Sequence, residues 1–292
     1  MIDWNLGSVG GVEARRGGSL IDRAMAALAT GPLHTVQIAE TVLNIRGEAR
    51  ASAAAVFALL GTDSRFNVDG LGVWSLKAPP TQAGQALSLA EEEWVVVDLE
   101  TTGGAPERGH RVTEVAAVWV SRGRIAETYC TLVNPERRIP SMISSLTGIT
   151  DAMVAGAPPF RDVAPRVIDA LHGRVFVAHN AAFDWRFLCA EMDRTHGYRL
   201  DGRRLCTVRL ARKLLPHLPS RSLGALADYF GLDIASRHRA LDDAVATAQL
   251  MIRLFDMLAE REITDWKAVE GLLRRRAPRR KRRAMPRSMD AA

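Results

Sequence analysis

Two carboxylates stand one residue apart at the end of an apolar run. The run Trp94-Val95-Val96-Val97 continues into Asp98-Leu99-Glu100 and is stopped by Thr101-Thr102-Gly103. Such a run predicts a buried strand, in which Asp98 and Glu100 point to the same face. Two neighbouring carboxylates repel each other, and a divalent cation between them would remove that cost. The alternative is an acidic strand end at the surface, with its charge solvated.

Two later segments carry acids and a histidine. His179-Asn180-Ala181-Ala182-Phe183-Asp184 follows a short apolar stretch and places Asp184 in the first turn of a predicted helix, where the helix dipole favours a carboxylate. Asp243 lies near the start of a long predicted helix, and His238 precedes it by five residues. Taken singly, these residues would be helix acids, a helix cap and a surface histidine. Taken with Asp98 and Glu100, they form a candidate metal site.

The composition is that of a globular protein. Of the 292 residues, 47% are apolar and 25% are charged, which is ordinary for a soluble chain. The small-apolar stretch 51–60 is shorter than the roughly 18 residues of a membrane span, and residues 1–18 lack the apolar core of a secretory signal. We therefore expect a cytoplasmic protein with no membrane contact. The three cysteines form no CxxC pair and are expected to be reduced core residues.

The positive charge of the chain is concentrated at its end. The formal net charge is +6, yet residues 274–292 hold nine basic residues and one acid, so the rest of the chain carries −2. This pattern predicts a basic, disordered arm that adds phosphate contacts; a merely solubilising tail is the alternative. Its candidate contacts to nucleic acid are Arg274, Arg275, Arg276, Arg279, Arg280, Lys281, Arg282 and Arg283.

Patterning predicts two folded domains, and we expect six segments in all. They are a flexible leader (1–17), a winged helix-turn-helix (18–77), a linker (78–93), an α/β domain (94–260), a C-terminal helix (261–273) and the basic tail (274–292).

The first domain is expected to hold three short helices followed by a two-stranded wing. Residues 20–28, 35–43 and 50–60 have helical spacing, with Thr35 as a helix cap, and residues 65–68 and 73–76 alternate around Asp69-Gly70-Leu71-Gly72. The segments 61–66 and 72–76 resemble the winged helix-turn-helix of the delta subunit of bacterial RNA polymerase. Such modules bind duplex DNA or protein, and the balanced charge of this one leaves both open.

The second domain is predicted to be a mixed sheet with helices on its faces. Strands near 94–101, 112–120 and 125–133 should form an antiparallel meander, and residues 175–178 add a short strand. Helices are predicted over 159–171, 181–194, 207–215, 222–230 and 240–258.

Three motifs in this domain, taken together, resemble those of the DEDDh exonucleases, a family that includes the proofreading epsilon subunit of bacterial replicative polymerase and the exonuclease domain of the Gram-positive polymerase. The motifs are Asp98-Leu99-Glu100-Thr101-Thr102-Gly103, His179-Asn180-Ala181-Ala182-Phe183-Asp184 and His238-Arg239-Ala240-Leu241-Asp242-Asp243-Ala244. The resemblance covers about residues 94–258 and implies an RNase H-like fold. It also implies release of nucleoside 5′-monophosphates from a 3′ end, with two divalent ions, Mg²⁺ or Mn²⁺.

The chemistry explains why the family needs these residue types. Two metal ions about 4 Å apart activate a water and stabilise the leaving oxygen, and such hard ions take oxygen ligands. By resemblance, Asp98 bridges the ions, Glu100 and Asp243 hold the hydrolytic one, and Asp184 supports the other. Neutral His238 would serve as the general base.

The resemblance also implies residues that touch the terminal nucleotide. In the family, a leucine like Leu146 wedges beside the last base, and many members carry histidine where this chain has Thr147. The further candidates for substrate contact are Thr101, Thr102, Asn180 and Phe183.

The leading hypothesis is a metal-dependent 3′→5′ exonuclease acting on DNA ends in proofreading or repair. No polymerase region is recognised in the chain, so proofreading would require a polymerase subunit in trans. An exoribonuclease of the ribonuclease T or oligoribonuclease type shares the same motifs; the first domain and the tail favour DNA. A non-catalytic DNA- or polymerase-binding module is the third hypothesis.

Overall fold

The computed structural model describes residues 10–16, 20–46, 49–63, 65–76, 87–234 and 238–274. These residues form a small unit between residues 20 and 76 and a larger α/β unit that includes residues 10–16. The basic tail beyond Arg274 and residues 78–86 of the expected linker lie outside the described residues.

The small unit packs three helices against a three-stranded antiparallel sheet of order β2-β4-β3. The elements up to residue 76 are β1 (Glu13–Arg16), α1 (Leu20–Leu28), β2 (Leu33–His34), α2 (Thr35–Thr41), α3 (Ala49–Leu60), β3 (Phe66–Val68) and β4 (Val73–Leu76). The three helices and the hairpin lie where the sequence pattern predicts them, whereas the two-residue strand β2 was not predicted. That this unit works as a winged helix stays a prediction.

Thr35 has a different role from the expected helix cap. His34 is the N-cap residue of α2, and its side chain accepts a hydrogen bond from the backbone of Val36. The Thr35 hydroxyl instead accepts a hydrogen bond from the buried indole of Trp74 at 3.0 Å and donates to the carbonyl of Gly72 at 2.7 Å. It therefore ties α2 to β4 inside the core.

The larger unit is built on a five-stranded mixed sheet of order β10-β8-β5-β6-β7. Its strands are β5 (Trp94–Thr101), β6 (Val112–Ser121), β7 (Arg124–Leu132), β8 (Val175–Ala178) and β10 (Arg204–Cys206). The three long strands form the predicted antiparallel meander, and β8 and β10 join it in parallel. The expected mixed sheet is confirmed, although β10 was not predicted.

Helices cover both faces of this sheet. They are α4 (Ser141–Thr147), α5 (Asp151–Val154), α6 (Phe160–Leu171), α7 (Ala182–His196), α8 (Thr207–Leu214), α9 (Leu223–Phe230), α10 (Ala240–Ala259) and α11 (Trp266–Arg274). Alternate residues of β5 belong to two separate hydrophobic cores, one on each face of the sheet. Val95 and Val97 pack with α6 and α7. Trp94 and Val96 pack with α8 and α10. Since Asp98 and Glu100 share the parity of Val96, they face the α10 side.

The flexible leader predicted over residues 1–17 is wrong for residues 12–16, which pack on the larger unit. β1 pairs antiparallel with β9 (Tyr198–Asp201), and the side chain of Val12 is fully buried. The signal was hidden because the segment is short and mixes charged residues with glycines, whereas its partner strand lies far along the chain.

Residues 88–93 likewise correct the end of the expected linker. The backbone N–H of Leu89 donates to the carbonyl of Thr264 at 2.7 Å, and the Leu89 side chain is buried. The buried carboxylate of Glu92 is paired with Arg203, with Nη2 and Oε2 2.8 Å apart. These contacts fix the approach to β5 against the sheet and α11.

All three cysteines are free thiols, and only Cys206 is buried. Within the described part of the chain, no helix combines the length and apolarity needed to cross a membrane.

Candidate active site

The end of β5 presents Asp98 and Glu100 at one edge of the sheet. The register between β5 and β6 shifts after Glu100, so the pairing is irregular there, and β5 ends one residue later at Thr101. The chain then turns at Gly103, which has φ of +157°, and a Cβ at this position would lie 2.4 Å from the His110 ring. A side chain would therefore collide with the imidazole, which explains the glycine at this turn.

Asp184 reaches the same edge from the first turn of α7. The parallel pairing of β8 with β5 extends over residues 94–96 only. Beyond it, the buried Asp184 carboxylate accepts a hydrogen bond from the backbone N–H of Leu99 at 3.2 Å. The helix start is thus joined to the strand by the candidate ligand itself.

The start of α10 supplies Asp243 and His238 from the other side. Asp243 accepts a hydrogen bond from the backbone N–H of His238 at 3.0 Å, and His238 takes a left-handed backbone with φ of 62°. Ligand atoms of Glu100, His238 and Asp243 all lie within 4.8 Å of one another. The His238 side chain is exposed to solvent, where it can meet a water molecule.

An ion pair beneath this loop, between a buried acid and a partly exposed arginine, was missed in the sequence. Glu114 of β6 is opposite Glu100 in the sheet and is only 1% exposed. Its carboxylate accepts hydrogen bonds from the Arg239 guanidinium at 2.6 Å and from the backbone N–H of Ala240 at 2.9 Å. Since Arg239 follows His238 directly, the pair fixes the histidine-bearing segment to the sheet. An acid inside the apolar run of β6 was the available signal.

Burial, together with the charges of neighbouring acids, raises the pKa of three of the acids. Burial, then the charges of Asp184 and Glu100, hold the pKa of Asp98 well above its usual range. Burial raises the pKa of Asp184 to about 8. Burial and the charge of Asp243 raise the pKa of Glu100 to about 7. A group of carboxylates in this state gains most from a bound cation, which would favour their ionised forms.

A pocket of about 320 Å³ opens over these residues. The four candidate acids and His238 line it, as do five of the six residues predicted to touch the nucleotide, Thr101, Leu146, Thr147, Asn180 and Phe183. Leu146 is 54% exposed on α4, as suits a side chain that contacts a base. Asn180 has φ of 69° and stands at the turn between β8 and α7.

Thr102 was predicted to touch the nucleotide, but its side chain points away from the pocket. Its side chain is fully buried, accepts a hydrogen bond from the backbone of Arg111 at 3.0 Å and lies 3.2 Å from the His110 ring. Neighbouring residues of an extended chain point in opposite directions, so Thr101 faces the pocket while Thr102 closes the loop behind it.

His179 also lines the pocket, although only its motif was noted in the sequence. Its Nδ1 lies 2.9 Å from the Thr207 hydroxyl, and burial lowers the pKa of the ring to about 4. A neutral imidazole at this depth is suited to hydrogen bonding rather than to carrying charge.

The donor set fits hard divalent cations. Asp98, Glu100, Asp184 and Asp243 offer carboxylate oxygens around one pocket, and hard cations such as Mg²⁺ prefer oxygen ligands. None of the three cysteines lines the pocket, which disfavours a thiolate site.

Comparison with known proteins gives the family. The model of the exonuclease family matches residues 95–251, more than half of the chain. The DNA polymerase III subunit epsilon of Aquifex aeolicus is 36% identical over 183 residues, covering 63% of this chain and 90% of that protein. A PolC-type DNA polymerase III of Caldanaerobacter subterraneus subsp. tengcongensis is 34% identical over 197 residues, but the match spans 68% of this chain and only 14% of the polymerase.

Among solved structures, Exonuclease X in complex with 5′ overhanging duplex DNA is 31% identical, with a TM-score of 0.50. The alignment covers 62% of this chain and 99% of that chain. Sequence match, fold and motif order agree, and the chain belongs to the exonuclease family, in the metal-dependent DEDDh group of 3′→5′ exonucleases.

Proposed function

We propose that this protein is a 3′→5′ exonuclease that removes nucleoside 5′-monophosphates from the 3′ ends of DNA, single-stranded or frayed. The observation that carries the proposal is the convergence of Glu100, His238 and Asp243, whose ligand atoms lie within 4.8 Å of one another, on a pocket that Asp98 and Asp184 also line. Residues from three distant parts of the sequence meet there.

The carboxylates would hold two divalent ions, Mg²⁺ or Mn²⁺. In this proposal Asp98 would be a ligand common to both ions, Glu100 and Asp243 would hold the hydrolytic ion, and Asp184 would support the other. When bound, such ions supply an activated water and stabilise the leaving oxygen. The raised pKa values of Asp98, Glu100 and Asp184 support this assignment, because burial and then mutual repulsion disfavour the ionised carboxylates unless a cation neutralises them.

His238 would accept the proton of the attacking water. The water oxygen bonds to the terminal phosphorus, the bond from phosphorus to the 3′ oxygen of the preceding nucleotide breaks, and that oxygen takes a proton from solvent and leaves as a hydroxyl. The exposed position of His238 lets it return the proton to solvent after each cycle. Leu146 and Phe183 would contact the terminal base, and Asn180 would make a polar contact to the nucleotide. Thr101 and Thr147 also line the pocket, but their hydroxyls already donate to the carbonyls of Gly103 at 2.8 Å and Ile143 at 3.0 Å, so they would meet the nucleotide through van der Waals contact.

DNA is the proposed substrate because several relatives at more than 30% identity are named for DNA polymerase III, and Exonuclease X, at 31%, was solved in complex with DNA. A role in proofreading or repair follows, with a polymerase subunit as a partner in trans and the cytoplasm as the site of action. The basic tail is proposed to add phosphate contacts.

The test is degradation of 5′-labelled single-stranded DNA and RNA of equal sequence with Mg²⁺ or Mn²⁺. The wild type should release nucleotides one at a time from the 3′ end, faster from DNA than from RNA. Asp98→Ala and His238→Ala should lose this activity, while His217→Ala, an exposed histidine outside the pocket, should retain it.

Two results would change the proposal. Equal product from wild type and Asp98→Ala would refute the assigned site. Faster turnover of RNA than of DNA would replace the DNA exonuclease with an exoribonuclease acting through the same residues.

A further inference from the structure

A second cavity, which we call the arginine cleft, lies at the same end of the sheet as the pocket. Its volume is about 450 Å³. Four arginines dominate its lining, which consists of Gly109, Arg111, Pro135, Glu136, Arg137, Arg138 and Arg194.

The arginine cleft and the pocket share two stretches of chain. The loop between β5 and β6 contributes Gly103 and Gly104 to the pocket and Gly109 and Arg111 to the cleft. The segment after β7 contributes Arg138 to the cleft and, five residues later, Ile143 of α4 to the pocket. Five residues span at most about 18 Å. A strand ending in the pocket could therefore cover that distance with about five nucleotides, since phosphates follow every 3.4 Å of a helical strand.

The walls of the cleft are held in place by local hydrogen bonds. The Asn134 side chain accepts a hydrogen bond from the backbone N–H of Glu136 at 2.9 Å, and Glu136 has a left-handed φ of 52°. Arg137 donates to the carbonyl of Gly109 and so joins the two walls. The backbone N–H of Ile139 donates to Asp151 at 2.8 Å. The arginines are thus presented by a fixed turn.

The cleft keeps a positive charge. Arg111 is paired with the buried Glu191, with Nε and Oε1 2.7 Å apart, and Arg194 shares the same carboxylate at 3.5 Å. Within the described part of the chain, neither Arg137 nor Arg138 forms an ion pair with a carboxylate, and both are exposed. Like charges gathered in one cleft repel, and an anion relieves the repulsion. Arginine forks match phosphate oxygens well.

We propose that the arginine cleft binds phosphodiester groups of nucleic acid beyond the scissile one, and so lengthens the stretch of substrate that the protein recognises. This inference rests on the proposed function, because it makes the ligand an extension of the nucleic acid in the pocket. The phosphates belong to the strand being cut or to a complementary strand, and the two sources share one chemistry.

The test compares Arg138→Glu with Arg124→Glu. Arg124 is an exposed arginine at the turn between β6 and β7, the opposite end of the sheet from the pocket, and serves as the matched control. Substrates are a dinucleotide, whose single phosphodiester is the scissile one, and a strand of about 20 nucleotides, longer than typical single-strand sites of about 4–16. The long strand is used in two forms: alone, and annealed to a longer complementary strand so that its 3′ end is recessed.

Arg138→Glu should raise KM for the long strand about tenfold and KM for the dinucleotide less than about twofold. The slope of log K for binding against log salt concentration should also become less negative, by roughly 0.7 for each single-strand phosphate that the variant no longer neutralises. An effect on the single strand assigns the phosphates to the strand being cut. An effect on the duplex alone assigns them to the complementary strand.

Binding measured by fluorescence anisotropy in EDTA separates this inference from the proposed function. If the wild type cleaves nothing but Arg138→Glu still binds the long strand more weakly than Arg124→Glu, the cleft stands and the proposed function fails. If Arg138→Glu and Arg124→Glu have the same affinity, KM and salt slope on both long substrates, the cleft proposal is overturned.

Discussion

The pocket takes one acid from the start of α7 and another from the start of α10, and these two helix starts are joined to the sheet in different ways. At α7 the candidate ligand Asp184 is itself buried and bonds the backbone of β5. At α10 the joint is made by Glu114 and Arg239, which are separate from the candidate ligands. His238 is left exposed beside that joint.

The difference separates two kinds of mutational effect. A change at Asp184 alters metal binding and folding stability together, because one carboxylate serves both. At α10, chemistry and anchoring belong to different side chains, so they can be changed one at a time. His238, Glu114 and Asp184 are therefore the positions at which substitution tests this contrast.

The largest effect is expected for His238→Ala. Loss of a general base lowers kcat by about 10²–10⁴-fold, while the melting temperature should stay close to that of the wild type because the side chain is exposed. Steady-state kinetics at saturating oligonucleotide and thermal melting check both halves. A fall in kcat of less than about tenfold would remove His238 from the assigned role.

Glu114→Gln should weaken the α10 joint without touching a candidate ligand. The amide can still accept from Ala240 but loses the charged pair with Arg239, and we expect a loss of about 1–3 kcal/mol in the free energy of unfolding. We also expect kcat to fall about tenfold, since His238 and Asp243 are then positioned less well.

Chemical denaturation measures the first effect of Glu114→Gln, and kinetics across pH measures the second. The control is Glu127→Gln, an exposed acid of β7 paired with Arg166. Activity and stability equal to those of that control would show that the Glu114–Arg239 pair does not position the loop.

Asp184→Asn should stabilise the metal-free protein at neutral and alkaline pH while reducing activity. The pKa of Asp184 in the folded protein is raised from its usual 3.8 to about 8. The stability that the neutral carboxyl contributes is therefore fully present below pH 3.8 and is lost as the pH rises toward 8. The Asn variant cannot ionise and keeps its stability across that window.

Thermal melting in EDTA across this pH range tests the prediction. Each kcal/mol of difference in the free energy of unfolding shifts the melting temperature by about 2–4 °C. Asp193→Asn, an exposed residue on the same helix, is the control. Parallel melting curves for wild type and Asp184→Asn at every pH would contradict the burial argument. Added Mg²⁺ or Mn²⁺ should restore wild-type stability at high pH and have little effect on the variant.

The smallest effect is expected for truncation after Leu273, which removes the basic tail. The slope of log K for single-strand binding against log salt concentration should become less negative, by roughly 0.7 for every phosphate that the tail would otherwise neutralise. Combined with Arg138→Glu, the truncation should act additively, because the two bind different phosphates. An unchanged salt slope would leave the tail as a solubilising segment.

Much of the sheet could be predicted because its signals are local. The apolar run before Asp98 predicted a buried strand, and the period of two placed Asp98 and Glu100 on one face. The two strand-like runs over β6 and β7, joined by the turn at residues 121–124, predicted the antiparallel meander. Each of these inferences needed only neighbouring residues.

The remaining features depend on partners far apart in the sequence. β1 pairs with β9, about 190 positions later along the chain, and Glu114 acquires its role only when Arg239 arrives from the start of α10. Thr102 was assigned to the nucleotide because its motif resembles that of the family, yet the loop to Arg111 turns its side chain inward. Long-range packing decided all three.

The most direct test of the account is a titration of the protein with Mn²⁺ followed by electron paramagnetic resonance, without any nucleic acid. The wild type should bind two Mn²⁺ ions per chain, and Asp98→Asn should bind fewer and more weakly, since the proposed bridging carboxylate is gone. Glu127→Gln is the control and should match the wild type. Equal binding of Mn²⁺ by wild type and Asp98→Asn would contradict a metal centre at the end of β5.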